Sequence, residues 1–331
     1  MSDLSVGKVR GLQQISTEKG IFVMSAIDHR GSFKTMIEKE QDIKVKYKEI
    51  VGYKKELCAV LASCSSAVLL DPIYGAAQCI AGGALSGHTG LLVSIEATGY
   101  QDDPGGRVTM LLEDWGVGKI KRMGASAVKL LVYYRPDLGE IAGKQLEIVK
   151  LVAEECIKYD LPFLVEPVSY AVGEGKKDSS QFAARKPELV IETAKQMTAL
   201  PVDVLKAEFP ADLNYEKDDG KLLAMCQDLD KASQVPWVLL SAGVDYEMFR
   251  KQVRIASRAG ASGFLAGRAI WQEALQFKDK KERSNFLNTT VVDRLKELAD
   301  IASSNAVPWY RKLGIKSNEL AEVAENWYET Y

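Results

Sequence analysis

The chain has 331 residues, of which 47% are hydrophobic and 27% charged, with a formal net charge of -2. That composition describes an ordinary globular protein with a sizeable core, and its near balance of charge argues against nucleic acid or an anionic membrane surface as the main partner. No run reaches the roughly 18 apolar residues of a membrane span, and the polar opening MSDLSVGKVRGLQQ lacks the apolar stretch of a leader. Taken in chain order, short apolar, β-branched runs at 21–27, 67–70, 91–95, 127–133, 162–166, 202–207, 237–241 and 262–266 predict strands. Longer amphipathic patterns predict helices at 45–62, 109–123, 144–159, 182–198, 221–233 and 246–259, with a shorter helix after Ile73.

Apolar strands that alternate with helices indicate a parallel sheet buried on both faces. Eight βα repeats in this length fit a closed barrel better than an open doubly wound sheet. The expected class is therefore α/β, a (β/α)8 TIM barrel. One domain spans 1–331, with the barrel at about 20–275 and a helical C-terminal extension at 279–331. No GxGxxG follows the first strand, which weakens a dinucleotide-binding reading. Two insertions, 100–107 and 170–186, are rich in Gly, Asp, Pro or Lys and belong at the C-terminal face, where active sites of such barrels sit.

The five cysteines, Cys58, Cys64, Cys79, Cys156 and Cys226, are scattered and without CxxC spacing. They imply neither a disulfide framework nor a zinc site and point to the cytoplasm. Histidine is scarce: only His29 and His88 are present. That disfavours a metal-dependent aldolase, isomerase or epimerase, which needs several imidazole ligands, and neither a metal nor a cofactor is expected.

Charge inside the strands carries the chemical information. Lys129 interrupts AVKLLVYY, Glu166 interrupts FLVEPVSY and Lys206 interrupts DVLKAEFP, while Asp28, Asp71 and Glu96 end apolar runs. A charged residue at a strand end can simply be solvated, or an aspartate there can cap the next helix. A lysine in mid-strand is harder to explain so plainly, because it must be paired, deprotonated or directed into a polar cavity. Two lysines and a glutamate converging in a barrel suit Schiff-base chemistry. A lysine attacks a ketone as the free amine, and the resulting iminium at C2 of a ketose draws electrons from the C3–C4 bond. Glu166, with a raised pKa, is the expected carboxylate for the proton transfers. After the last two strands, Ser241-Ala242-Gly243 and Gly267-Arg268 combine small residues with a charged fork and lead toward helix N-termini. Glycines also serve tight βα turns, but SAG and GR fall at the two places where this fold binds phosphate.

These motifs resemble the tagatose 1,6-bisphosphate aldolase family, with sulfofructose-phosphate aldolases as near relatives. The resemblance rests on IDHRG (27–31), LLDPIYG (69–75), EATGY (96–100), GASAVKLLVYY (124–134), EPVSY (166–170), DVLKAEFP (203–210), LLSAGV (239–244) and GFLAGRAIW (263–271). It implies a class I aldolase that cleaves a ketohexose 1,6-bisphosphate, tagatose 1,6-bisphosphate by preference, to dihydroxyacetone phosphate and glyceraldehyde 3-phosphate. Lys206 would be the Schiff-base lysine, Glu166 the acid/base, Lys129 the second lysine and Asp28 the aspartate beside the reacting carbons. Ser241, Ala242, Gly243, Gly267 and Arg268 would hold the phosphate of the dihydroxyacetone half. Asp71 is grouped with the substrate-facing residues, and Arg30 faces the distal anionic group. The family usually reads DQRG where this chain reads DHRG, so His29 either shifts selectivity at C6 or is a structural histidine. Two alternatives stay open: cleavage of sulfofructose 1-phosphate, and a non-catalytic sugar-phosphate-binding regulator. A homodimer or homotetramer is expected, with the C-terminal segment bearing Trp309 and Trp327 packing on the barrel or on a neighbour.

Overall fold

Strand alternation builds the molecule. In this computed structural model, which describes residues 4–103, 105–172, 175–329 and 331, the strands are β1 (Phe22–Ala26), β2 (Ala67–Leu70), β3 (Gly90–Ser94), β4 (Gln101–Asp103), β5 (Gly106–Val108), β6 (Ala127–Tyr133), β7 (Phe163–Val168), β8 (Val204–Ala207), β9 (Trp237–Leu240) and β10 (Gly263–Ala266). All but β4 and β5 form a closed barrel in the order β1-β10-β9-β8-β7-β6-β3-β2, and every adjacent pair in it is parallel.

Successive side chains of a strand point to opposite faces. Met24, Leu69, Leu92, Leu164, Val204, Val238 and Leu265 accordingly form one buried cluster inside the barrel. Val93, Val165, Leu205, Leu239 and Ala266, one position further along, belong to a larger cluster between the strands and the surrounding helices. Continuing the lumen row by two residues from Ala127, Leu164 and Val204 gives Lys129, Glu166 and Lys206. The period of two thus lifts these three charges one layer above an apolar floor.

The floor is closed from below. Helix Val6–Ile15, capped by the Ser5 hydroxyl, contributes Leu12 and Ile15, and Trp309 joins them in the lumen cluster. The Ile15 carbonyl accepts from the Ser66 hydroxyl at 2.7 Å, and the Gly20 carbonyl accepts from the Trp309 amide at 3.0 Å. Both contacts sit where β2 and β1 begin, at the N-terminal end. Burying side chains of this size stabilises by about 1.5–3 kcal/mol each. Trp309 therefore packs on the barrel, whereas Trp327 is 39% exposed.

The barrel closes where β1 meets β10, with Phe22 opposite Gly263. Gly263 has φ +138, and a Cβ there would lie 1.9 Å from the Phe22 carbonyl oxygen, so no other residue fits this seam.

Several elements differ from the sequence reading. Helices Val6–Ile15 and Gly31–Gln41 were not anticipated. The helix expected over 109–123 is only Val117–Arg122, because Asp114 takes a left-handed φ of 54 and Leu111 bridges back to Glu96. The 100–107 insertion holds the antiparallel β4–β5 hairpin, in which Asp102 pairs with Arg107. Pro104 in that insertion, Gly173 and Glu174 in the 170–186 insertion, and Met1–Asp3 of the polar opening lie outside the described residues. The C-terminal extension is helical through Val292–Asn305 and Trp309–Lys312, and beyond that only the short turn Trp327–Glu329 is helical among the described residues.

Candidate active site

A cavity of about 460 Å³ opens at the C-terminal end of the barrel. Asp28, His29, Arg30, Lys129, Glu166, Lys206, Ser241, Ala242, Gly267 and Arg268 line it, so β1, β6, β7, β8, β9 and β10 each contribute from their C-terminal ends.

At its base the charges interlock. Glu166 bridges the two lysines, with Oε1 2.7 Å from Lys206 Nζ and Oε2 3.0 Å from Lys129 Nζ. Lys129 also meets Asp28 Oδ2 at 2.8 Å and Glu96 Oε1 at 2.7 Å. All five side chains are largely withdrawn from solvent. Burial works against the charge of Lys129, but Asp28, Glu166 and Glu96 together outweigh it and hold the ammonium well above the ordinary lysine range. For Asp28 and Glu166 burial again opposes ionisation, and the neighbouring Lys129 and Lys206 outweigh it, so both carboxyls lie below the usual range. The raised value expected for Glu166 is thus corrected: a carboxylate touching two ammonium groups is held charged.

The two lysines consequently differ. Lys129 is locked as a cation by three carboxylates, whereas among the described residues Lys206 contacts a single one, which it shares. Lys206 Nζ lies within hydrogen-bond reach of the Glu166 carboxylate at 2.7 Å. Glu96 belongs to this group and was not among the expected site residues. Its place at the end of the LLVSIE run was the available signal. Its other oxygen accepts from the Leu131 amide at 3.1 Å, which fixes the carboxylate against β6.

On the opposite side of the lysines lies the candidate anion cradle. Ala242 and Gly243 have φ of 48 and 76, a left-handed pair that turns the chain after β9. Holding an alanine there costs energy, and such strain clusters at ligand sites. A Cβ on Gly243 would come within 3.0 Å of the Arg268 guanidinium, so glycine lets that fork pack on the backbone. Gly243 supports Arg268 from behind and is not a lining residue. The Ser241 hydroxyl accepts from the Gly267 amide at 3.3 Å, joining the two loops. Among the described residues no carboxylate pairs with Arg268. The helix N-terminus expected after β9 is already occupied, because Asp245 accepts from the Met248 amide at 2.8 Å.

His29 and Arg30 diverge. The His29 ring meets Trp271 edge-on at 5.5 Å and lies against Gly267, on the cradle side. Its Nδ1 is buried without a hydrogen-bond partner among the described residues, and Asp28 Oδ1 is 3.8 Å away. Burial first, opposed by Asp28 and reinforced by Arg268, Lys206 and Lys54, pulls the imidazole down to about 4, so it is neutral near pH 7. Arg30 turns the other way and donates to the Glu96 and Ala97 carbonyls at 2.8 and 3.2 Å.

Asp71 does not reach the cavity, which corrects its placement with the substrate-facing residues. Strand β2 ends at Leu70, and the Asp71 side chain turns back to accept from the Ile73 and Tyr74 amides at 2.9 and 2.7 Å. Its other oxygen pairs with Lys54 of helix Tyr47–Ala62, both groups being fully buried. Among the described residues no three His, Cys, Asp or Glu side chains are grouped to hold a metal ion, and no helix is long and apolar enough to cross a membrane.

Comparison with known proteins shows the family. The model of the DeoC/LacD family aldolases matches residues 22–273. The chain is 34% identical over 334 residues to a tagatose 1,6-diphosphate aldolase of Listeria monocytogenes serotype 4a (strain HCC23), covering 95% of this chain and 97% of the relative. It is 33% identical over 334 residues to tagatose 1,6-diphosphate aldolase 2 of Enterococcus faecalis (strain ATCC 700802 / V583), covering 95% and 99%. A solved structure of a Schiff-base-forming fructose-1,6-bisphosphate aldolase superposes with a TM-score of 0.58 at 22% identity, over 89% of this chain and 99% of the other, which supports the fold. The chain belongs to the DeoC/LacD family of aldolases.

Proposed function

We propose that this protein is a class I aldolase that cleaves a ketohexose 1,6-bisphosphate, tagatose 1,6-bisphosphate by preference, to dihydroxyacetone phosphate and glyceraldehyde 3-phosphate. The observation that carries the reading is the single carboxylate, Glu166, held between a lysine locked as a cation and a lysine with no other acidic contact among the described residues. The activity named for the relatives supplies the substrate class.

In this mechanism Glu166 takes a proton from Lys206, and the free amine attacks C2 of the ketose to give a carbinolamine. Glu166 returns a proton to the departing hydroxyl, which leaves as water, and an iminium remains. A carboxylate of the cluster accepts the C4 hydroxyl proton as the C3–C4 bond breaks, releasing the aldehyde and leaving an enamine on Lys206. Protonation at C3 and hydrolysis by water then free dihydroxyacetone phosphate and restore the amine. Lys129 stays charged throughout and positions Asp28, Glu96 and Glu166 around the reacting carbons. Ser241, Ala242, Gly267 and Arg268 bind the phosphate on the retained half, and Arg30 adds positive charge toward the other end.

We also take the chain as one domain. The reaction is placed in the cytoplasm, and a homodimer or homotetramer is proposed. Exposed Leu151 and Ile157 on helix Gly139–Lys158 support self-association.

Borohydride reduction in the presence of dihydroxyacetone phosphate should leave a covalent adduct on Lys206, identified by peptide mass. An unmodified Lys206 in an enzyme that turns over would sink the Schiff-base reading. A panel of tagatose and fructose 1,6-bisphosphates and sulfofructose 1-phosphate, compared by kcat/KM, tests the substrate preference.

A further inference from the structure

Across the barrel from the anion cradle sits a cation that the proposed mechanism does not use. The cradle lies at the ends of β9 and β10, and in the circular strand order the strands facing these are β3 and β6. A substrate anchored in the cradle and attached to Lys206 therefore extends its far end toward the segment that follows β3 and the end of β6. There the Arg107 guanidinium stands among three tyrosine rings, 4.4 Å from the centroid of Tyr100, 4.8 Å from Tyr170 and 5.6 Å from Tyr133. Tyr133 and Gly99, the neighbour of Tyr100, line the cavity, while Arg107 stands outside that lining, against the Tyr133 ring.

The position of Arg107 is strongly built. Fully buried Gln145 donates to the Arg107 carbonyl at 2.9 Å and to the Tyr133 carbonyl at 2.8 Å, tying hairpin to strand. The Tyr170 hydroxyl accepts from the Arg107 amide at 3.0 Å, and a Cβ on Gly106 would lie 2.5 Å from that hydroxyl. Lys144 holds Asp103 at 2.9 Å on the other arm of the hairpin. Yet among the described residues no carboxylate or carbonyl meets the guanidinium itself. The other cations on this side are already engaged: Arg30 by two carbonyls, and Lys177 by Glu208 at 3.1 Å. Ring faces hold a guanidinium in place without using its N–H donors, and a planar fork with free donors matches a phosphate.

We propose that Arg107 is the specificity-determining contact for the distal anionic group of the substrate, its fork kept ready by Tyr100, Tyr133 and Tyr170. The proposal rests on the aldolase reading and deepens it.

The test compares Arg107→Ala and Arg107→Lys with the unaltered enzyme on a ketohexose 1,6-bisphosphate and on the matching 1-phosphate, which lacks the distal group. Loss of a charge-assisted contact should raise KM for the bisphosphate about tenfold or more in Arg107→Ala, with kcat changed less than about twofold. Arg107→Lys should recover part of that loss, and kcat/KM for the 1-phosphate should stay within about twofold of the parent. An unchanged KM for the bisphosphate, or equal losses on both substrates, would overturn the assignment. Borohydride trapping of dihydroxyacetone phosphate on Lys206 in the same variants reports on the folded site: loss of trapping in the parent enzyme defeats the aldolase reading, whereas intact trapping with no discrimination between substrates defeats only the role of Arg107.

Discussion

Two buried lysines in this protein meet opposite fates. Lys54, outside the barrel wall, faces one carboxylate, Asp71, and burial wins: its pKa is pulled below the ordinary lysine value despite that partner. Lys129, inside the lumen, is as deeply buried but faces three carboxylates, and its pKa is raised. Burial of a charge is therefore no mark of function by itself. The number of partners decides the electrostatics, and the position relative to the cavity decides the role. Lys54 closes a joint between helix Tyr47–Ala62 and the turn after β2, while Lys129 organises groups that substrate can touch.

Four experiments separate these roles. The largest effect should come from Lys206→Met, which removes the nucleophile: turnover should fall by about 10⁴-fold or more, with little change in thermal midpoint. Appreciable residual cleavage in a clean preparation would place the nucleophile elsewhere. Glu166→Gln should lower kcat by about 10²–10⁴-fold, the range for a lost general acid/base, and KM should move far less. At the structural pair the effect should appear in stability instead. Lys54→Met strands a buried carboxylate and should cost about 3–5 kcal/mol in denaturant unfolding, while the double change Lys54→Met with Asp71→Leu should recover most of it. If either single change at this pair lowered kcat of the folded enzyme as Glu166→Gln does, the division between the two sites would fail.

The smallest expected effect is in the pH dependence of stability. Asp28 and Glu166 are held below their unfolded values of about 4. Their contribution is complete above that value and is lost as pH falls through the depressed folded values. Lys129 has the opposite sign: its contribution is complete below about 10.4 and is lost as pH rises through its raised folded value. Thermal midpoints followed from pH 6 to pH 3 should drop less in Glu166→Gln than in the parent, and a parallel decline in both would contradict the assignment.

The barrel was readable because each of its strands is a short apolar run whose two faces are both buried, so the pattern survives without tertiary knowledge. Lys129, Glu166 and Lys206 were readable for the same reason, as charges where the run should be apolar. Asp71 was misplaced because the two-residue period holds only while the strand lasts. Its partner lies in a preceding helix, where Lys54 resembles any lysine of an amphipathic pattern. The expected direction for Glu166 was reversed because the sequence brings Lys129 and Lys206 into the same barrel but does not reveal their contacts with the Glu166 oxygens at 3.0 and 2.7 Å, where their charge outweighs burial. Arg107 carried no signal at all: a lone arginine in a Gly-, Asp- and Pro-rich insertion looks like a solvated loop residue until Tyr133 and Tyr170, distant in sequence, are seen around it with Tyr100. Helix Gly31–Gln41 escaped because its buried contacts reduce to Phe33, Ile37 and Gln41.

The glycine at the seam between β1 and β10 has a consequence for how the chain comes to be folded. The first and last barrel strands can pair only after nearly the whole barrel sequence is available, which makes this the contact with the greatest loop-closure cost. Until then β1 and β10 each present an unpaired edge, open to other chains. A side chain at Gly263 would obstruct that final pairing through its clash with the Phe22 carbonyl. Its effect should be seen in slow refolding and aggregation during synthesis, far from any step of the chemistry.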